Sequence, residues 1–293
     1  MNIAKPHRDT IDIEDCEIIS NEEHPGKQFI MRVYAPQIAK EALPGSFVHI
    51  QCAEWLPMRR PISIMRTDKN SGQVEILYKV LGEGTQVLSE RKAGERISMI
   101  GPIGKPFTLN ADRPRPLLIG GGVGMPPMIF IATELQKQKN DYKPFVILGS
   151  EVPFPFQSTP SKIVIPDMPD GVIASMPLLE DIGIASRLAT LQGYPGCFDG
   201  YVTDLARHWL LSLGDEQRKE VEIFTCGPHP MIEAVVKLAK EFDLPCQVSL
   251  EEFMACAVGG CAGCVVKVQT ENGPAMKRVC VDGPVFNGYD VFA

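Results

Sequence analysis

Pro116-Leu-Leu-Ile-Gly120-Gly-Gly-Val-Gly124-Met-Pro-Pro127 is an apolar run that breaks into glycines and then into paired prolines. Pro116–Ile119 has the length and composition of a buried strand. The glycines allow close backbone approach, and the prolines pre-set the first turn of a helix. The stretch therefore predicts strand, tight turn, then a helix from about Pro126 to Lys137. Gly121, Gly122 and Gly124 become candidate phosphate contacts at a helix start. The run is not G-x-G-x-x-G: counting from Gly120 or Gly122 puts Met125 or Pro127 where the last glycine belongs. No Gly-Lys-Ser/Thr follows, so it is not a Walker A loop either. The plain alternative is a glycine-rich turn that binds nothing.

Downstream the same pattern recurs. Phe145–Leu148 and Val221–Thr225 read as short strands, and Asp204–Leu213 as a helix. Cys226-Gly227-Pro228 follows a strand and precedes a helix from about Pro230 to Glu241. Strands alternating with helices predict a doubly wound parallel sheet over residues 112–245. Upstream, residues 1–111 contain short strands at Phe29–Tyr34, Ser46–Gln51, Gln73–Val80 and Arg96–Ile100, punctuated by Gly and Pro. That predicts an antiparallel β-barrel or sandwich with one helix near Thr85–Arg91. Residues 246–293 leave the sheet as a small third segment. Residues 150–200 are rich in Pro and Gly and predict irregular chain, with one more strand possible at Lys162–Ile165.

The chain has 293 residues and a net charge of −7, with no basic stripe to displace counterions from nucleic acid. The most apolar stretch, Leu117–Ala132, holds four glycines and two prolines and is too short to span a bilayer. The N-terminal stretch lacks the apolar core of a signal peptide, so the expected location is cytoplasmic. In that compartment nine cysteines are not expected to form a disulfide framework.

Four of the nine are clustered: Cys256-x4-Cys261-x2-Cys264, then fifteen residues, then Cys280. C-x4-C-x2-C…C is the plant-type spacing for a [2Fe–2S] cluster. Gly259, Gly260 and Gly263, with Ala257 and Ala262, leave room for a loop that curls tightly and points amides at sulfur. A structural zinc site also takes four thiolates, usually as two C-x2-C pairs, and only one such pair is present.

Arg59-Arg60-Pro61-Ile62-Ser63 opens a strand of the first domain. Arg60 offers a fork of donors for a pyrophosphate oxygen, Ser63 a hydroxyl, and Pro61 a fixed backbone. Read alone, the run is equally a basic pair before a strand. Leu77-Tyr78-Lys79 and Gly84-Thr85 follow, the latter opening the domain's helix, where a phosphate can sit. Tyr78 is a candidate to pack on a cofactor or simply a half-buried strand residue. Cys226, Gly227 and Pro228 stand at the carboxyl end of a strand, where open α/β sheets bind ligands, although a strand-end Cys is as readily just buried. His229 reads as a solvated helix start.

Taken in order, these pieces resemble the ferredoxin–NADP⁺ reductase superfamily: R-P-x-S, then G-G-G-x-G-x-P-P, then C-G-P-x-x-M. The C-terminal cysteines with Arg278-Val-Cys280-Val-Asp-Gly-Pro-Val-Phe286 are similar to the iron–sulfur electron-transfer subunits of class 1B dihydroorotate dehydrogenases. The resemblance implies FAD at Arg60, Pro61, Ile62, Ser63, Leu77, Tyr78, Lys79, Gly84 and Thr85. It implies a [2Fe–2S] cluster on Cys256, Cys261, Cys264 and Cys280. It also implies NAD as the nucleotide and a partner catalytic subunit carrying FMN, in a heterotetramer of pyrimidine biosynthesis. Glu151, just past a strand, would repel a 2′-phosphate and favours NAD over NADP.

Nicotinamide moves electrons in pairs, clusters move them singly, and a flavin does both. The sequence therefore nominates no general base. Two rivals remain at this stage: an NAD(P)H reductase serving an oxygenase, sulfur or ferredoxin system, and a zinc-bound regulatory adaptor.

Overall fold

A computed structural model describes residues 6–138 and 141–293. Residues 1–5, which open the N-terminal stretch read above, lie outside the described residues. The chain forms two compact units. One takes the chain to Phe107 together with Ser249–Phe286; the other takes Thr108–Val248 with Asn287–Phe292.

The first unit is built on a closed antiparallel barrel of β1 (Asp12–His24), β2 (Gln28–Tyr34), β3 (Phe47–Ile50), β4 (Arg60–Asp68), β5 (Gln73–Lys79) and β6 (Arg96–Ile103). Their order is β1-β2-β5-β4-β3-β6, so every strand edge is paired. Apolar side chains such as Ile18, Met31, Ile50, Ile64, Ile76 and Met99 fill the core. The β1–β2 turn uses left-handed backbone at Gly26 and Lys27. Glu75 on β5 lies opposite Arg32 of β2 and Arg66 of β4. Its carboxylate accepts from Arg32 Nε at 3.0 Å and Arg66 Nε at 2.5 Å, a buried acid satisfied from both neighbouring strands.

Two helices lie between the strands, where the sequence predicted one. Helix α1 (Pro36–Glu41) is the unexpected one. Its free amides at Gln37 and Ile38 are taken by the Glu14 carboxylate, 3.1 and 2.8 Å away on β1. A cap from more than twenty residues upstream leaves no local signature. Helix α2 (Glu83–Ser89) is the expected one.

The second unit holds β7 (Arg115–Gly121), β8 (Phe145–Gly149), the small ladder β9 (Thr159–Pro160) with β10 (Ala174–Ser175), then β11 (Ala185–Thr190), β12 (Phe198–Asp199), β13 (Val221–Cys226) and β14 (Cys246–Ser249). Six of the seven strands of its sheet run in the order β12-β11-β8-β7-β13-β14, with β7, β8, β11, β12 and β13 parallel where they pair. The helices are α3 (Met125–Lys137), α4 (Pro177–Asp181), α5 (Val202–Ser212), α6 (Asp215–Lys219) and α7 (His229–Glu241). The chain builds outward from β7 to β12, then returns to place β13 on the other side of β7. That reversal makes a topological switch point at the carboxyl ends of β7 and β13.

Within residues 150–200 the expected strand at Lys162–Ile165 does not form. The Lys162 amide donates to Glu180 Oε1 at 2.6 Å and the Ile163 amide to Ser161 Oγ at 3.1 Å, so side chains take the bonds a ladder would need. The strand that does form, β11, carries a buried Arg187. Its guanidinium donates to the carbonyls of Val172, Ser186 and Ile163 and pins this loop to the sheet.

The chain from Ser249 joins the barrel unit. It contributes the hairpin β15 (Val265–Thr270) with β16 (Gly273–Arg278), then the one-turn helix α8 (Val279–Asp282). Lys105 N donates to Gly283 O at 2.6 Å and ties the segment to the end of the barrel, while Leu250 N to Pro284 O at 3.0 Å closes the segment on itself.

Candidate cluster, flavin and nucleotide sites

Cys264 precedes β15 and Cys280 lies in α8. A bond from Val279 N to Cys264 O (2.9 Å) ties the two elements, and the buried thiols stand 3.3 Å apart. Cys256 and Cys261 belong to the loop before them. The Cys261 amide donates to Cys256 Sγ, and the Gly263 amide to Cys261 Sγ, each at 3.4 Å. The loop achieves this with left-handed backbone at Ala257 (φ 55°), Gly259 (φ 86°) and Ala262 (φ 52°). Two alanines in that region cost about 1 kcal/mol or more each, strain of the kind concentrated at functional sites.

Burial opposes ionisation of Cys256. The amides of Cys261, Val258 and Gly260, with the Cys261 side chain, outweigh it and lower the thiol to about 6. Cys280 is pushed up to about 12, first by burial and then by the adjoining Cys264 thiol. The thiols thus come in two pairs, Cys256 with Cys261 and Cys264 with Cys280. Among the described residues no three His, Cys, Asp or Glu side chains gather as a site for a single metal ion. Paired sulfurs with amides aimed at them are the donor set of a two-iron core.

β4 and β5 lie side by side and carry the predicted flavin residues. The two arginines of the motif divide the work. Arg59 is spent on the barrel wall, donating to Ser98 O and Ser98 Oγ at 2.8 Å and to His49 O at 3.2 Å. Arg60 donates to two main-chain carbonyls, Met58 O at 2.6 Å and Arg59 O at 3.3 Å. Its guanidinium lies flat against Gly84 at the start of α2: a Cβ there would stand 2.5 Å from Nε and 2.7 Å from Nη2. Arg60, Gly84 and the α2 amides form a cradle that suits a phosphate. Pro61 and Ser63 are half-buried, and Ile62 and Leu77 are buried. Lys79 ends β5 half-buried. The hydroxyl of Thr85 is occupied locally, accepting from the amides of Leu81 and Gly82. Tyr78 is buried, stacked on Phe29 at 5.4 Å, and its hydroxyl donates to Asn21 Oδ1 at 2.9 Å.

At the switch point Cys226 lies in register with Gly120, and Gly121 with Gly149. Gly124 must be glycine, because a Cβ would stand 2.5 Å from the Cys226 carbonyl and Gly227 Cα. Gly121 and Gly227 both pack against Met231. Gly122 takes φ +55° and faces open space, so its backbone is available to a ligand. The structure brings Gly121, Gly122, Gly124, Cys226, Gly227 and Pro228 together. Cys226 is wholly buried and Pro228 exposed. His229 is the exposed first residue of α7, and Glu151 is exposed just past β8.

Comparison with known proteins bears on what these sites hold. A family model described as the iron-sulfur cluster binding domain of dihydroorotate dehydrogenase B matches residues 251–292. The dihydroorotate dehydrogenase B (NAD(+)) electron transfer subunit of Desulforamulus reducens is 35% identical over 265 residues, 90% of this chain and 92% of that one. Its counterpart in Caldanaerobacter subterraneus subsp. tengcongensis is 33% identical, over 84% and 86%. This chain belongs to the dihydroorotate dehydrogenase B electron transfer subunit family.

The solved structures agree in fold. An NADH-dependent reduced ferredoxin-NADP oxidoreductase, described for flavin-based electron bifurcation, aligns over 95% of this chain and 90% of its own with TM-score 0.75 and 29% identity. The ferredoxin reductase in carbazole 1,9a-dioxygenase shares the fold alone, at TM-score 0.61 and 22% identity over 80% of this chain and 67% of its own. For this family member, reading the sequence misses residues that support the sites from a distance. Asn21 Nδ2 donates to Leu88 O and Arg91 O at 3.0 Å, closing the end of α2 while Oδ1 holds Tyr78. His49 is buried on β3 opposite Pro61. Arg8 reaches the cysteine loop across 250 residues of chain. Each acts through partners far away in sequence, and none belongs to a local motif.

Proposed function

We propose that this chain is the electron-transfer subunit that links a dihydroorotate-oxidising partner subunit to NAD⁺. The carrying observation is the two thiol pairs, supplied with loop amides, in the same compact unit as the Arg60–Gly84 cradle. On this reading residues 1–111 hold FAD, 112–245 hold NAD(H), and 246–293 hold the [2Fe–2S] cluster. The partner carries FMN in a heterotetramer, and the assembly works in the cytoplasm in pyrimidine biosynthesis. The net reaction is dihydroorotate + NAD⁺ → orotate + NADH + H⁺.

The chemistry supplied by the bound groups is interconversion of one-electron and two-electron transfer. The chain's own task is to bind, orient and insulate. Cys256, Cys261, Cys264 and Cys280 would hold the iron atoms. Arg60 and the start of α2 would neutralise the flavin pyrophosphate, with Pro61 and Ser63 presenting the strand beside it. Leu77, Tyr78 and Lys79 would flank it from β5. Gly121, Gly122 and Gly124 would admit the nucleotide phosphates to the backbone, and Cys226, Gly227 and Pro228 would border the nicotinamide. No side chain is asked to move a proton.

The test is reconstitution. The purified chain should carry one FAD and two irons, with flavin and ferredoxin-like absorption. Mixed with the FMN-containing dihydroorotate dehydrogenase subunit it should reduce NAD⁺ on addition of dihydroorotate. A fully loaded complex that fails to do so would redirect the assignment to an NAD(P)H reductase for another acceptor. The likeness to the reduced ferredoxin-NADP oxidoreductase favours that second reading. Zinc without flavin in the preparation would point to an adaptor instead.

A further inference from the structure

The loop from Cys256 to Cys261 has two sides. The amides of Val258, Gly260 and Cys261 turn toward the Cys256 sulfur and that of Gly259 toward Cys280, so the carbonyls of the loop turn away and need donors of their own. Two arginines provide them. Arg278 Nη1, at the end of β16, donates to Gly259 O at 2.7 Å. Arg8 Nη2, in the N-terminal turn Pro6–Arg8, donates to Val258 O at 2.8 Å. Arg8 Nη1 is buried and has no hydrogen-bond partner among the described residues, and it lies 3.8 Å from where a Cβ on Gly259 would stand. The same turn places His7 Nε2 3.2 Å from Val281 O, next to Cys280, and Thr10 Oγ1 braces it through His7 O. Gly259 is held against Val281 so closely that a Cβ would stand 2.5 Å from Cγ2.

We propose that Arg8 and Arg278 form a cationic clamp behind the cysteine loop, which fixes its peptide units toward sulfur and raises the reduction potential of the cluster. The N-terminal turn is the strap that delivers half of it. A cluster gains negative charge on reduction. Two guanidinium groups hydrogen-bonded to the far ends of sulfur-facing peptides stabilise that charge in two ways. They add positive potential within one peptide unit of the sulfurs. They also polarise the amides that face sulfur, and hydrogen bonds to sulfur are a principal control of cluster potential. Arg8 and Arg278 are positioning residues, acting through the peptides of Val258 and Gly259.

The inference rests on the cluster assignment above, and its test separates the two. Redox titration of the full-length holoprotein, followed by electron paramagnetic resonance of the reduced cluster, reads the potential directly. Iron and FAD content are measured for every variant. Arg8→Ala and Arg278→Ala should each lower the reduced-to-oxidised ratio at a fixed poise on the order of tenfold, about 59 mV for one electron. Arg8→Lys keeps the charge but not the fork, and should recover more than half of the shift. In the flavin-free, iron-free chain Arg8→Ala should also speed amide exchange at residues 257–260. Arg207→Ala, which removes an exposed ion pair with Glu241, should leave the potential unchanged. Loss of iron from Arg8→Ala with FAD retained, rescued by Arg8→Lys, supports the clamp as well. Variants with full iron and unchanged potential overturn it. A parent chain without iron overturns the cluster assignment instead.

Discussion

His49 shows how a single buried side chain carries pH information. Its ring is closed off from solvent on β3, and neither nitrogen has a hydrogen-bond partner among the described residues. Burial, then the Arg59 guanidinium, lower its pKa from 6.5 to about 4, against a weaker pull from the backbones of Met254 and Arg59. The ring faces those two backbones at a geometry short of a hydrogen bond, so the site holds neutral imidazole. The unfolded chain takes up the proton near pH 6.5 and the folded chain only near pH 4. Stability from the neutral ring is therefore complete above pH 6.5 and lost as pH falls through 4, by up to about 3 kcal/mol. Thermal unfolding of the parent and of His49→Gln between pH 7 and 4 measures this. The parent's melting temperature should fall more steeply; parallel profiles would remove His49 as the cause. At this scale the sequence is legible where chemistry is local. The four cysteines and Arg60 announce themselves by spacing and neighbours. His49, Asn21 and Arg8 do not, because Asn21 finds its partners 57 to 70 residues away and Arg8 its partner 250 residues away.

Elements impose a different test, since the same substitution has opposite consequences in two glycine turns. A Cβ on Gly84 meets the tip of Arg60, which is flexible and can swing away. Gly84 is also the second residue of α2, where alanine is the better helix former by roughly 0.5–1 kcal/mol. Gly84→Ala should leave the flavin-free chain as stable as before or slightly more so. It should weaken FAD binding at least tenfold, read by fluorescence titration, because the guanidinium no longer lies on the helix start. At Gly124 the obstacle is the main chain of Cys226 and Gly227, which cannot move without parting β13 from α3. Gly124→Ala should cost about 1–3 kcal/mol of unfolding free energy. Equal effects at both positions would refute the assignment of Arg60 as the movable partner. The reading of elements divides along the same line of locality. β7, α3, β13 and α7 carry their own periodicity and turn residues. Helix α1 depends on Glu14 from another strand, and β11 hides a buried arginine that only the loop carbonyls above it explain. Lys162–Ile165 has strand composition, yet Glu180 and Ser161 capture its amides.

At the scale of the whole molecule, chain order and compact unit do not coincide. The cysteine segment comes last in sequence but joins the barrel built first, through the main-chain bond from Lys105 to Gly283 and the side-chain bonds of His7 to Val281 O and Arg8 to Val258 O. These bonds use no thiol, and neither do the Arg60–Gly84 cradle or the Gly122 turn. The chemistry of the four cysteines is therefore separable from the rest of the chain. In Cys280→Ser, near in size and buried beside Cys264, the flavin and nucleotide sites keep all their supports. Oxidation of NADH by ferricyanide, which draws electrons without the partner subunit, should fall less than threefold. Dihydroorotate-driven reduction of NAD⁺ in the complex should fall at least a hundredfold. Steady-state assays of both reactions on one FAD-quantified preparation decide the matter. If the two activities decline together at full FAD occupancy, the cysteine segment is a structural part of the flavin unit and not the route to the partner.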